Sequence, residues 1–296
     1  MIDIEHTVEQ QQQFIMQTDT HINIHTRNKP FIIYTYMNNN KRRKIDSSSN
    51  SNSSNNNKNN NKNNNNNNMA SMVLNANRIG IFKSRTPITP LGLVYNKATT
   101  KFTENALVLE CFVDFCCPFS KKIWDRLTKD VYGHYNNNST SPLKIIFHQV
   151  PQPWHPQSTL LHEVALASLI AGGDDKYQLM YQNLFDIRDK FTDMMTYDMT
   201  RTQIYESLAL ATSTNVGIEA KNLMTLLALD TSNGQKNSGN ATTQALKWYV
   251  KQHRQRGIHV SPTCAINGVE VNTSSGWSLD EWRKLLDPLI EGAGNC

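Results

Sequence analysis

Apolar residues crowd together in ALVLECFVDF (106–115), interrupted only by Glu110 and Asp114. That density predicts a strand buried on both faces of a sheet. LGLVYN (91–96) predicts a shorter strand before it. From Pro118 the period changes: Ile123, Trp124, Leu127 and Val131 recur at helical spacing, with Gly133 as the predicted stop. Proline is tolerated in a first helical turn, where its missing N–H would be unpaired anyway, so Cys117 falls at or beside the N-cap. LKIIFHQV (143–150) predicts a second buried strand, followed by the loop PQPWHPQS (151–158). Strand, helix, strand implies a right-handed crossover and parallel pairing.

The next hundred residues carry helical periodicity. TLLHEVALASLIAG (159–172) ends at a glycine pair, and DKYQLMYQNLFDIRDKF (175–191) follows it. TRTQIYESLALATS (200–213), NVGIEAKNLMTLLALD (215–230) and the basic ATTQALKWYVKQHRQRG (241–257) complete the series. The period then returns to two. TCAI (263–266), the turn Asn267–Gly268 and VEV (269–271) form a strong hairpin signal. Ser278 and Glu281 make a capping box before Trp282, Leu285, Leu286 and Leu289, and Pro288 is expected to end or kink that helix. No internal repeat is visible.

Composition changes the picture mainly at the N-terminus. Residues 38–68 are almost wholly Asn, Ser and Lys, with nothing apolar to offset a backbone ordering cost of about 1–2 kcal/mol per residue. Residues 1–75 are therefore expected to be a disordered, low-complexity region. FIIYTY (31–36) is an isolated strand candidate, and Met69 an alternative start. Net charge is +5, part of it from KRRK (41–44), read as a solvated tail run with a nuclear-import signal or an anionic contact as the alternatives. No apolar run reaches the roughly 18 residues of a membrane span, and the first 30 residues lack a secretory pattern. The expectation is a cytoplasmic protein without nucleic-acid or membrane partners; a start at Met69 would instead expose a weak organellar presequence. Five cysteines, Cys111, Cys116, Cys117, Cys264 and Cys296, form neither an even disulfide framework nor a metal pattern. They suit free thiols in a reducing compartment.

Cys117-Pro118-Phe119-Ser120, between a buried strand and a helix, resembles a thioredoxin-fold CxxC motif whose second cysteine has become serine. Val260-Ser261-Pro262-Thr263 resembles the segment that carries a cis-proline opposite the active site in that fold. The helical stretch between them, with PQPWHPQS ahead of it, is similar to the DsbA-like branch. INGVEV (266–271) and SGWSLDEW (275–282) extend the resemblance, which spans about 80–296. It implies an α/β chain: a thioredoxin-like domain from 80–157 and 243–296, with an inserted all-helical subdomain at 158–242.

A helix N-terminus presents unpaired N–H groups and the positive end of the macrodipole, and both favour a thiolate. Thiols so placed titrate at about 3.5–7.5, against about 8.5 ordinarily. Cys117 is thus the candidate nucleophile, set against a plain small apolar residue at a strand end. Ser120 cannot resolve a mixed disulfide at neutral pH but can hydrogen-bond the sulfur. Phe119 supplies an apolar rim. The resemblance gives Pro262, with Ser261 and Thr263, the role of presenting backbone to an extended substrate, where a trans turn proline is the plain alternative. Asp114 reads as a solvated strand-end acid, or else as a carboxylate close enough to raise the thiol's pKa. His155 reads as loop packing, or else as a site residue.

Cys116 is too near Cys117 to pair without strain, Cys111 reads as inert core, and Cys264 reads as core rather than site. Lys247, Lys251, Arg254 and Arg256 read as a solvated face. The functional expectation is a monothiol thiol oxidoreductase whose mixed disulfides are resolved by an external thiol such as glutathione, with no tightly bound cofactor. The alternatives are a non-redox module that binds extended peptide, and a transferase or isomerase using glutathione, similar to the kappa class.

Overall fold

The computed structural model describes residues 91–136, 140–229, 231, 234 and 236–293. The readings at 1–75, FIIYTY, KRRK, Met69 and Cys296 lie outside the described residues. Strand β1 (Leu93–Val94) is followed by β2 (Lys101–Val113), and helix α1 (Pro118–Asp125) leaves the end of β2. A π-helical stretch, Arg126–Val131, carries α1 into the short α2 (Tyr132–Tyr135), and β3 (Thr140–Gln149) returns the chain to the sheet. Then come α3 (Ser158–Ile187), a 3-10 turn (Arg188–Phe191), α4 (Asp193–Thr196), α5 (Arg201–Val216), α6 (Ala220–Leu227) and α7 (Thr243–Gln255). The hairpin β4 (Thr263–Ile266) and β5 (Val269–Val271) precedes the last helix, α8 (Leu279–Ala293).

The five strands lie in the order β1-β3-β2-β4-β5. Central β2 pairs in parallel with β3 and antiparallel with β4, and the outer strands pair antiparallel with their neighbours. The parallel βαβ unit is the one the apolar pattern predicts. β2 starts five residues before that apolar run, because Lys101 and Phe102 pair with Thr140 and Ser141 across a register shift that ends at Leu107. Residues 101–105 are polar and exposed apart from Phe102, so this extension leaves no hydrophobic trace. Along β2, Leu107, Leu109, Cys111 and Val113 enter the large core, while Phe112 packs with Val150, Ile258 and Ala265. Trp124, Phe147, Tyr181, Phe185 and Phe115 form an aromatic cluster, with ring centroids 4.5–5.5 Å apart for Trp124 with Phe147, Tyr181 and Phe185.

Several boundaries move. Gly133 does not stop the first helix, which runs on until Tyr135 is buried and its hydroxyl bonds Asp287 at 2.5 Å. The glycine pair does break the next one: Gly173 has φ 77° and ψ −167°, so α3 is two helical segments meeting at a kink. A helix from 215 is ruled out by Gly217, whose left-handed φ of 67° caps α5, and α6 starts only at Ala220. Pro288 lies inside α8 and does not end it. The Ser278 capping box forms as read, Ser278 N–H reaching Glu281 at 2.7 Å and Glu281 N–H returning to Ser278 Oγ at 3.4 Å.

Candidate active site

Cys117 is the N-cap of α1, with extended backbone (φ −76°, ψ 123°) and Pro118 as the first helical residue. Its carbonyl accepts from Lys121 N–H at 3.2 Å, while its own N–H bonds the Asp114 carbonyl at 3.1 Å. The turn from strand to helix is thus closed on both sides of the cysteine. Its thiol donates to the Ser261 carbonyl at 3.4 Å, and the Ser261–Pro262 peptide is cis. Cys117 itself is only 5% exposed, but Phe119 (59%) from its own segment and Val260 (49%) from the segment of Pro262 are exposed. Thr263 Oγ1 donates to the Val260 carbonyl at 2.9 Å, which fastens the segment that carries Ser261 and Pro262.

Ser120 is fully buried, and its Oγ accepts from the Asp114 N–H at 3.2 Å. Its partner is therefore backbone rather than the Cys117 sulfur. It closes the β2–α1 corner.

Asp114 corrects a sequence reading. It is not solvated: it is fully buried. Oδ1 accepts from Ser158 Oγ at 2.7 Å and Cys116 N–H at 2.9 Å, with His162 Nε2 at 3.5 Å. Oδ2 meets His155 Nδ1 at 2.9 Å and the Gln152 N–H at 3.2 Å. Burial alone would raise this carboxyl, but the hydrogen bonds from His155 and the Cys116 amide, with the nearby His162 ring, outweigh it and hold it well below the usual range. The same bond to Asp114 raises His155 against the opposing effect of its partial burial. His155 is therefore bound to the acid beneath the site rather than packed in its loop.

Burial, then the charges of Asp114 and Asp193, pushes the Cys116 thiol up. Its carbonyl accepts from Arg188 at 3.4 Å. Cys116 is thereby a protonated neighbour of Cys117.

The network continues inward. His162 Nδ1 meets Gln149 Oε1 at 3.1 Å, and Gln149 donates to Tyr177 Oη at 2.8 Å, which lies 3.1 Å from Tyr249 Oη. Sequence reading missed Ser158, His162, Gln149 and Arg188. His162 had a signal: it is the one ring nitrogen pair in the apolar stretch 159–172, flanked by the buried Leu161, Val164 and Ala165. Beside the His155 loop, Trp154, Leu160, Met199 and Ile204 line a cleft of about 510 Å³ that also holds Asp193 and Arg201. Among the described residues no three His, Cys, Asp or Glu side chains converge as a metal would need, and no helix is long and apolar enough to cross a membrane.

Strand order, the β2–α1–β3 crossover, the hairpin behind Pro262 and the helices between β3 and β4 define a thioredoxin-like fold with a helical insertion. No protein-family model and no curated protein matches the chain. Similar solved structures include a candidate protein-disulfide isomerase from Pseudomonas syringae, at 22% identity over 62% of this chain and 96% of that one, with a TM-score of 0.49. Oxidised BdbD from Bacillus subtilis is similar at 14% identity over 68% and 97% of the two chains, with a TM-score of 0.46. The thiol-disulfide exchange protein alpha-DsbA2 from Wolbachia pipientis is similar at 18% identity over 74% and 98%, with a TM-score of 0.42.

Proposed function

We propose that this chain is a monothiol thiol–disulfide oxidoreductase in which Cys117 is the nucleophile. The observation that carries this reading is the Cys117 sulfur at a helix N-terminus, 3.4 Å from the Ser261 carbonyl. The Cys117 thiolate attacks one sulfur of a substrate disulfide; a new S–S bond forms and the other substrate sulfur leaves as a thiolate. With Ser120 in place of a second thiol, release requires an external thiol, for which glutathione is the candidate. Its sulfur attacks the mixed disulfide and frees Cys117 as a thiolate. Cys116 does not resolve the intermediate, since its thiol is held protonated.

The experiment is exposure of the chain to oxidised glutathione followed by mass mapping of the modified cysteines. Cys117 is expected to gain glutathione first, and Cys117→Ser to abolish that adduct while Cys116→Ser keeps it. An unmodified Cys117, or equal labelling of all thiols, overturns the reading. A second reading, a non-redox module for extended peptide, draws on the low exposure of Cys117 beside the exposed Phe119 and Val260. It gains if Cys117→Ser retains every captured partner.

A further inference from the structure

Two other cysteines face each other across the sheet. Cys111 on β2 and Cys264 on β4 are register partners in the antiparallel ladder. Their sulfurs are 3.7 Å apart, and both residues are buried, at 0% and 1% exposure. Neither takes part in the site described above. We propose that Cys111 and Cys264 are a second redox site, a thiol pair that closes into a cross-strand disulfide and ties β4, the strand that follows Pro262, to the strand that leads to Cys117.

Directly opposed residues of an antiparallel pair have Cα atoms about 4.5–5.5 Å apart, and a disulfide accepts about 4.4–6.8 Å, so the backbone already satisfies the bond. The sulfurs must approach from 3.7 Å to about 2.05 Å, a movement within reach of two side-chain rotations. Ordinary apolar packing of two thiols explains their burial. It does not explain why the two side chains point their sulfurs at one another from the same ladder rung.

Hydrogen peroxide is the oxidant class that fits, being little larger than water. One thiol attacks an oxygen of the peroxide; the S–O bond forms, the O–O bond breaks and one water leaves. The other thiol attacks that sulfur; the S–S bond forms, the S–O bond breaks and a second water leaves. The two thiols lose two electrons and two protons, and the peroxide is reduced to two waters. Both thiols are buried, so the reaction awaits opening of the β4–β5 hairpin. β5 is a three-residue edge strand, the kind of element that opens before a core does.

The test uses the full chain carrying Cys116→Ser and Cys117→Ser, treated with peroxide in native buffer, quenched, then unfolded in N-ethylmaleimide and cut by chymotrypsin. Cleavage after Phe112 and Phe115 separates Cys111 from positions 116 and 117. The expected result is a linked Cys111–Cys264 peptide pair lighter by two hydrogens, with alkylation of both thiols lost in parallel and regained on reduction. Full alkylation of both after treatment, separate oxidation of each to sulfinic acid, or linkage of either to Cys296 overturns the proposal. If the double variant does not fold, the same map of the unaltered chain reads the same linked pair. The result is independent of whether Cys117 is a nucleophile.

Discussion

Ser120 stands two residues beyond Pro118, inside the first turn of α1, where its Oγ is spent on the Asp114 amide. Replacing it tests both of its roles. Ser120→Cys is expected to form an internal disulfide with Cys117, seen as a loss of two hydrogens in the intact mass and as loss of the glutathione adduct. It should also weaken the corner by about 1–2 kcal/mol, because sulfur is a poorer acceptor for the buried amide. A chain that keeps two free thiols at 117 and 120 after mild oxidation would count against a nucleophilic Cys117. Cys117, Pro118 and Ser120 were legible in the sequence because a strand end, a proline and a helical period bracket them. Asp114 was misread because its partners, Ser158 and His162, arrive from another helix.

At the scale of elements, helix ends and strand fastenings carry the information. Gly173 has nothing within 4 Å of where a Cβ would sit, yet its φ of 77° with ψ −167° is a conformation other residues rarely adopt. Gly173→Ala should therefore cost about 1–3 kcal/mol through backbone strain alone, read as a lower urea midpoint at unchanged slope. The basic helix α7 is only partly a solvated face. Lys247, Lys251 and Arg254 are exposed, but Arg256 at its end grips Glu110 of β2 with contacts of 2.6 and 2.9 Å. His148 adds a third contact to Glu110 at 2.9 Å. Burial would raise this acid, and the bonds from His148 and Arg256 overcome it and lower its pKa to about 2. A carboxyl depressed on folding stabilises above its unfolded pKa, and the stabilisation is lost as pH falls through the folded value. Arg256→Ala should thus cost about 2 kcal/mol at pH 7 and flatten the fall in stability between about pH 4.5 and 2, measured by denaturant midpoints across pH.

Across the whole molecule, Asp114 joins the end of β2, the loop after β3 and the start of α3 through Cys116, Gln152, His155, Ser158 and His162. In Asp114→Asn one carboxylate oxygen becomes an NH2 group, which cannot accept from these donors in a dry interior, and the charge that faces them is lost. Asp114→Asn is expected to lose about 3 kcal/mol at pH 7. The acid is depressed on folding, so the variant and the parent should converge as pH drops below about 4. His155 is raised on folding, so its share is present below about pH 6.5 and is lost as pH rises through its folded value. His155→Gln should therefore narrow the gap in stability between pH 6 and pH 8. Equal losses at pH 3 and pH 7 for Asp114→Asn would show that the Asp114 charge does not stabilise the fold.

What the sequence determined by itself was local: the buried strands, the helix that opens at Pro118, the Asn267–Gly268 hairpin and the Ser278 cap. Each follows from period, turn chemistry or a residue's own backbone preference, and needs no distant partner. Only the tertiary structure decided which groups meet. Cys111 reaches Cys264, Asp114 reaches His162, and Glu110 reaches Arg256, over separations of 153, 48 and 146 residues. Such meetings depend on sheet order and on where the helical insertion returns the chain, and neither leaves a mark in the spacing of apolar residues.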